Sequence, residues 1–330
     1  MTVSEITSLL SQSDRCLALC SEAEQVRARV FGDTVYIRGI IEFSNICRNN
    51  CYYCGIRCGN RDVPRYRMTT DEIVETAVTA RRLGCGTVVL QSGEDPFFSA
   101  SVLSDIIRRV KDETGVAVTL SVGVRSRAEL AELKAAGCDR YLLRFETSSE
   151  ERFGAIHPDG TFAERVACLK DLRELGYQVG SGFMIGLPGA PLEQIARDIV
   201  FATELKLQMI GCGPFLAHPG TPLAGKPTLE NHAVYYATIA LLRILNPRAH
   251  IPATTAFDAL ESGGRDHVMC CGANVFMPNI TPAKYRRLYQ LYPNKPNVDE
   301  EGEVSFRRVC ARLTALGRTI SAEAGHALTS

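Results

Sequence analysis

The chain has no surplus of charge. Its 330 residues carry 37 basic and 37 acidic side chains, without a block of roughly five or six like charges, so nothing offers the footprint that nucleic acid or an anionic lipid surface would require. Long apolar runs are missing too. No window approaches the roughly 18 uninterrupted apolar residues of a membrane span. Residues 1–14 lack the basic start and apolar stretch of a secretory signal, so the expected location is cytoplasmic. Low-complexity segments, an obvious linker and a second domain are equally absent. What remains, with 45% apolar residues and 27 glycines, is an ordinary globular composition. A chain of this length suits two modest domains or one barrel.

Cysteine is the residue in excess. There are thirteen, and without an export signal they are expected to be mostly reduced; an odd count also argues against a complete disulfide framework. Cys16, Cys20, Cys85, Cys138, Cys168, Cys212 and Cys310 lie among apolar or helical neighbours and read as small buried hydrophobes. Cys270 and Cys271 form an adjacent pair that is either buried or able to bind substrate iron. Cys47, Cys51, Cys54 and Cys58 fall within twelve residues, and that density needs a reason.

From about residue 35 a short apolar run, a polar or glycine-containing turn and a longer amphipathic stretch recur, which is a βα pattern. Expected strands are Val35–Phe43, Thr87–Gln91, Ala117–Val122, Tyr141–Phe145, Val179–Ile185, Met209–Gly213, His250–Thr254 and Ala273–Met277. Helices are expected over Thr70–Leu83, Ser101–Asp112, Arg127–Ala136, Thr161–Leu175, Leu192–Leu205 and Leu229–Leu245. Thr69 and Glu72 form a capping box for the first of these. Eight right-handed crossovers without a linker predict an α/β fold, a (β/α)8 TIM-type barrel. It should span residues 35–295, with an N-terminal helical cap over 1–34 packed on the closed end and a C-terminal helical tail over 296–330, its helix near Val309–Leu316.

Directly after the first expected strand, Cys47, Cys51 and Cys54 are separated by three and then two residues. Three thiolates on such a loop can hold three irons of one [4Fe-4S] cubane and leave the fourth iron open. A closed zinc site with Cys58 as fourth ligand is the alternative, although this spacing is unusual for zinc knuckles. The C-terminal end of a barrel strand is where active sites of this fold lie. Arg144 and Glu146, two apart, would share one face of the fourth strand and point into the barrel mouth, as ligand-binding groups or as a structural ion pair.

The CxxxCxxC spacing, with Tyr53 before the third cysteine, resembles the signature of the radical S-adenosylmethionine enzymes. That resemblance implies one [4Fe-4S] cluster held by Cys47, Cys51 and Cys54, S-adenosylmethionine on the open iron, and release of a 5′-deoxyadenosyl radical. Cys58 becomes a bystander. It also implies cofactor contacts from Tyr53, from Ser92, Gly93 and Glu94 in the segment Gln91–Pro96, and from Ser121, Glu146 and Arg165. Met184 and Ile185, in the segment Ser181–Gly189, would lie along the adenine. Read alone, Gly93–Pro96 is a surface turn, Arg165 a solvated helical arginine, and Gly186–Gly189 a tight turn.

Within that superfamily the chain resembles the [FeFe]-hydrogenase maturase HydE family. The carrying residues are Arg38–Asn45, Arg65–Thr69, Leu90–Pro96, Arg140–Thr147, Gly211–Pro214, Ile251–Ala256, Cys271–Val275 and Tyr285–Pro293. This implies a small organometallic substrate, a cysteine-bound iron carrying CO and cyanide, made by a partner maturase. An electron donor such as a ferredoxin or flavodoxin is implied as well. Gln91, Arg144, Thr254, Thr255, Tyr285, Tyr289 and Tyr292 are the cavity candidates. The tyrosines also fit one packed helical face, and the adjacent threonines can both point inward only if the strand ends there. Two departures stand out. The tail holds only Cys310 where many members have three cysteines for an accessory cluster, so a single cluster is expected. Phe145 stands where members often have His, which puts a local contact in doubt. Methylornithine synthase, an amino-acid mutase of similar architecture, and a non-enzymatic metal-binding scaffold are the competing readings. Biotin synthase would need further inward cysteines.

Overall fold

The computed structural model describes residues 1–328. Its strands are β1 (Thr34–Ser44), β2 (Thr87–Ser92), β3 (Ala117–Ser121), β4 (Arg140–Leu142), β5 (Gln178–Ser181), β6 (Met184–Ile185), β7 (Met209–Ile210), β8 (Gly213–Pro214), β9 (Pro252–Ala253), β10 (Val275–Phe276) and β11 (Thr319–Ser321). The main sheet runs β7-β5-β4-β3-β2-β1-β10-β9, all parallel. It closes where Met209 bridges His250, the Ile210 N–H donating to His250 O at 2.9 Å. The (β/α)8 barrel expected from the sequence is therefore the fold.

The helices are α1 (Val3–Ser11), α2 (Cys16–Phe31), α3 (Thr70–Leu83), α4 (Ala100–Thr114), α5 (Arg127–Ala135), α6 (Glu150–Ile156), α7 (Phe162–Glu174), α8 (Leu192–Glu204), α9 (Ala233–Leu245), α10 (Ala256–Leu260), α11 (Gly264–Met269), α12 (Ala283–Arg286) and α13 (Gly302–Ala315). Local chemistry starts several of them. Thr69 accepts from Glu72 N–H while Glu72 accepts from Thr69 N–H, and the same reciprocal box opens α5 at Ser126 and α7 at Thr161.

Strand boundaries depart from expectation on the later half of the barrel. The fifth and sixth strands are each broken in two, their upper pieces β6 and β8 pairing with one another. The break lies at Gly182, where a Cβ would stand 2.0 Å from Gly211 O, so the backbones cross too closely for any other residue. The seventh and eighth strands shrink to two residues each. The fourth ends at Leu142, before Arg144 and Glu146.

Alternation along the strands stacks inward side chains in layers. Arg38, Thr87, Arg140 and His250 fill the lowest level. Ile40, Leu142, Met209 and Pro252 make the next, and Glu42, Gln91 and Ser121 line the open end above it. The lowest level is sealed by the chain's own end. Ala324 O accepts from Thr87 Oγ1 (2.8 Å) and Arg140 Nη2 (2.7 Å), and Gly325 O accepts from Arg38 Nη2 (3.2 Å). β11 pairs with β1 just before. This corrects the expected cap: α1 and α2 lie along α8 and α9 on the barrel's flank, and residues 324–326 close the base. On that flank Cys20 of α2 and Cys271 form a disulfide, so Cys271 is committed away from the cavity; Cys270 is exposed.

Candidate functional site

β1 delivers the chain at Ser44 into a loop closed by its own polar groups. Asn45 Oδ1 accepts from Tyr66 N–H (2.8 Å), and its Nδ2 donates to Pro64 O and Leu288 O. The Arg65 guanidinium donates to four carbonyls, those of Asn45, Ile56, Arg57 and Asn60, at 2.6 to 2.8 Å. Asn60 Nδ2 holds Gly55 O at 2.7 Å, and Gly55 N–H bonds Leu291 O. The cysteines are thus presented on a rigid frame rather than a slack loop.

Cys51 is buried, Cys47 and Cys54 are half-buried, and Cys58 is exposed. Burial first, and then the neighbouring Cys47, push the Cys54 thiol up to about 12; burial followed by Cys54 and Cys47 raises Cys51. The three thiols therefore share one low-dielectric space and ionise only against a positive metal centre. Among the described residues no group of three His, Cys, Asp or Glu side chains is arranged to hold a single metal ion. Three soft sulfur donors without a fourth fit a cluster that takes one thiolate on each of three irons. Cys58 is the exposed one of the four.

The loop after β2 lies directly against this frame. Gly93 N–H donates to Ser44 O (3.1 Å), Arg48 N–H to Glu94 O (3.0 Å), and Glu94 N–H points at Cys47 Sγ (3.4 Å). A Cβ on Gly93 would stand 2.3 Å from Ile46 O, so only glycine lets the two loops meet. Ser92 Oγ turns onto Gly93 O. Glu94 accepts from Val124 N–H and pairs with Arg48.

A cavity of about 240 Å³ opens beside the cysteine loop. Tyr53 and Cys54 form one side, and Glu42, Gln91, Ser121, Arg144, Glu146 and Met184 line it from the strand ends. Thr254, Thr255, Asn279, Tyr292 and Lys295 face them. Arg144 Nη2 stands 3.0 Å from Glu146 Oε2, yet off the hydrogen-bond axis. Arg144 Nε and Nη2 and that carboxylate oxygen have no hydrogen-bond partner among the described residues. Their common orientation does not come from strand alternation, since β4 has ended; Glu146 is turned by a left-handed φ of 64°, held by Glu146 N–H on Gly182 O and Met184 N–H on Glu146 O. Phe145 packs away from the cavity, edge-on to Phe201. Both threonines reach the cavity because β9 stops at Ala253 and Thr255 is the N-cap residue just before α10.

Other candidates are placed elsewhere. Tyr285 bonds Glu72 Oε1 at 2.8 Å and stacks on Tyr66, outside the cavity. Tyr289 stands behind Gln91, its hydroxyl accepting from Gln91 Nε2 at 3.3 Å. Only Tyr292 lines the wall. α12 ends at Arg286, so the three share no helical face. Ile185 is buried in the core and does not line the cavity. Arg165 faces a neighbouring cleft with Arg48, Glu94 and His157 rather than the cavity of Glu146. It is buried, donating to Arg144 O (3.0 Å) and to His157 Nε2 (2.8 Å), with Nε unpartnered.

Sequence reading missed one element of the cavity. Glu42 Oε1 holds Lys295 Nζ at 2.5 Å, and Glu42 Oε2 accepts from Asn279 Nδ2 at 2.8 Å. The two charged side chains are only 5% and 6% exposed. Burial pulls the Lys295 ammonium below its ordinary value, and Glu42 opposes this. Glu42 was legible from period-two alternation with Ile40. Lys295 carried no signal.

Comparison with known proteins bears on this geometry. The family model described as the radical SAM superfamily matches residues 41–202. The chain is 47% identical over 311 residues to the [FeFe] hydrogenase maturase subunit HydE of Thermotoga maritima, covering 94% of this chain and 89% of the relative. The crystal structure of methylornithine synthase superposes with a TM-score of 0.86 at 27% identity, over 97% of this chain and 94% of that one. The maturase HydG from Carboxydothermus hydrogenoformans superposes at 0.79 and 22% identity, over 97% and 79%, a likeness of fold alone.

Proposed function

The chain belongs to the radical S-adenosylmethionine superfamily and, within it, to the HydE family, and from that membership we propose that it acts on a cysteine-bound iron carrying CO and cyanide during assembly of the [FeFe]-hydrogenase diiron site. It is a radical S-adenosylmethionine enzyme using a [4Fe-4S] cluster. When bound, the cluster and S-adenosylmethionine supply the reductive cleavage that releases a 5′-deoxyadenosyl radical.

The protein's share is positioning. Cys47, Cys51 and Cys54 hold the cluster in the frame knitted by Arg65. The backbone of Ser92, Gly93 and Glu94, pressed against Cys47, is the segment against which the methionyl group would lie. Arg165 offers its free Nε to a carboxylate, a charge-assisted bond. Glu146, Ser121, Tyr53 and Met184 bound the ribose and adenine side. Gln91, Arg144, Thr254, Thr255 and Tyr292 then surround the substrate, with Tyr289 holding the Gln91 amide and Arg144 offering unpartnered N–H groups to an anionic ligand. The Glu42–Lys295 and Arg144–Glu146 pairs cancel, which keeps the cavity neutral and selects against a substrate of high net charge. We place the enzyme in the cytoplasm; no helix among the described residues is long and apolar enough to cross a membrane.

The observation that carries the substrate class is the 47% identity to a HydE across 94% of the chain, against 27% to methylornithine synthase. In a reconstituted maturation mixture containing the other maturases, hydrogenase activity should depend on this chain. Good 5′-deoxyadenosine formation without any gain in hydrogenase activity would sink the substrate assignment and favour an amino-acid mutase.

A further inference from the structure

A buried ion pair is a poor source of stability, because desolvating two charges costs about what their attraction returns. Glu42 and Lys295 nevertheless form such a pair on the cavity wall. Glu42 points inward by strand alternation, and Asn279 Nδ2 fixes its Oε2 at 2.8 Å. Lys295 belongs to no helix or strand. It lies between Asn294 and Asn297, whose left-handed φ values of 56° and 59° are seldom adopted by residues other than glycine. From that turn its ammonium reaches Glu42 Oε1 (2.5 Å) and Tyr289 O (2.8 Å). An ammonium has three N–H groups and no acceptor, and the described residues take only two of them. The third is left for an occupant of the cavity.

We infer, resting on the substrate reading proposed for this chain, that Lys295 donates this N–H to the nitrogen of the iron-bound cyanide and so fixes which way round the complex sits. Arg144 suits the other pole. Its unpartnered Nε and Nη2 share one edge of the guanidinium, the fork that matches a carboxylate, and the cysteine of the complex carries one. Arg144 follows β4 while Glu42 lies on β1, three places away in a ring of eight strands, so the two cations stand on nearly opposite walls. Lysine offers a compact point charge, which fits an end-on acceptor with a single lone pair. Cyanide and CO on iron have nearly the same size and shape, and only cyanide presents a strong acceptor at its outer end. Apolar contacts cannot tell them apart; one placed ammonium can. The CO ligands then fall to apolar lining such as Ile40, Met277 and Leu291.

The test uses cluster-loaded protein saturated with S-adenosylmethionine and given no reductant, so that nothing turns over. The probe is a synthetic L-cysteine iron complex carrying CO and isotope-labelled cyanide, followed by infrared spectroscopy and calorimetry. The cyanide band of the complex bound to wild-type protein should be displaced from its position in Lys295→Met, with the CO bands much less affected. Affinity should fall about tenfold or more in the variant, as loss of a charge-assisted bond requires. Lys295→Met leaves Glu42 buried and unpaired, so Glu42→Gln/Lys295→Met, which keeps no lone buried charge, guards against misfolding and should give the same band as Lys295→Met. Glu42→Gln alone breaks the ion pair but keeps the donor, and should retain the wild-type cyanide band. If Glu42→Gln moves the band as the double variant does, the pair merely shapes the wall and the inference falls. Wild-type protein that binds the complex with the same cyanide band as the double variant overturns the inference alone, whereas wild-type protein that does not bind it at all overturns the substrate reading as well.

Discussion

A guanidinium has no acceptor atom, so the 2.8 Å contact between Arg165 Nη2 and His157 Nε2 requires a lone pair on that nitrogen and hence a neutral imidazole. Burial, then the adjacent Arg165, pulls His157 from 6.5 to about 4. The unfolded chain takes up this proton near pH 6.5 while the folded one resists it until about 4. Stability therefore rises with pH across that window and is lost on acidification through it, by up to about 3 kcal/mol. His157→Gln keeps an acceptor for Arg165 without a titrating ring. Urea unfolding from pH 7 to 4 should show a shallower loss in the variant; identical slopes would refute the assignment. At this scale the sequence was most legible where chemistry is local. Three cysteines at fixed spacing, and a glycine against them, declare themselves. Lys295 could not, because its partner Glu42 lies 253 residues away and nothing periodic leads to it. The tyrosine trio misled for the opposite reason: spacings of four and three mimic a helix that stops at Arg286.

Helices were read well because their start signals are written beside them. Thr70–Leu83 was expected to the residue, since Thr69, Glu72 and the left-handed Gly84 mark both ends. Thr69→Ala should therefore lower stability by about 1 kcal/mol through loss of the cap, measured as a shift in the urea midpoint with unchanged slope. An unaltered midpoint would mean that Glu72, which also receives Lys284 and Tyr285, holds the helix start unaided. Strands were read less well. Where pairing runs over five or more residues, as in β1 to β3, boundaries fell within a residue or so. Beyond β4 the apolar runs continue, but Gly182 and Gly211 let backbones cross and the ladders break, and no alternation in the sequence encodes that approach. The same breaks turn Arg144, Glu146, Thr254 and Thr255 toward the cavity, so the site is built from places where strand regularity fails.

The fold class followed from repetition, but how the barrel closes did not, because its seal joins residues as far as 287 positions apart. Arg38 and Arg140 are 1% and 2% exposed, and among the described residues neither has an ion-pair partner. They meet neutral acceptors instead, among them Gly325 O, Ala324 O and the His326 ring, and only Arg38 Nε lacks a partner among the described residues. A buried guanidinium left without acceptors costs far more than the bond it loses. Removing residues 319–330 would strip those carbonyls away, unpair β11 from β1, and expose the His250 side of the closure, where His250 meets His326 O at 3.3 Å. Truncation should thus destabilise by several kcal/mol, on the order of 1 to 3 per orphaned polar group. A second protein carrying the truncation together with Arg38→Met and Arg140→Met should regain part of that loss, because the apolar replacements no longer need acceptors. Thermal unfolding of the three proteins decides the matter. If truncation alone leaves the melting temperature unchanged, the two arginines are solvated by other means and the tail is not the seal; if truncation destabilises but the methionine pair recovers nothing, the tail works through strand pairing rather than through the buried charges.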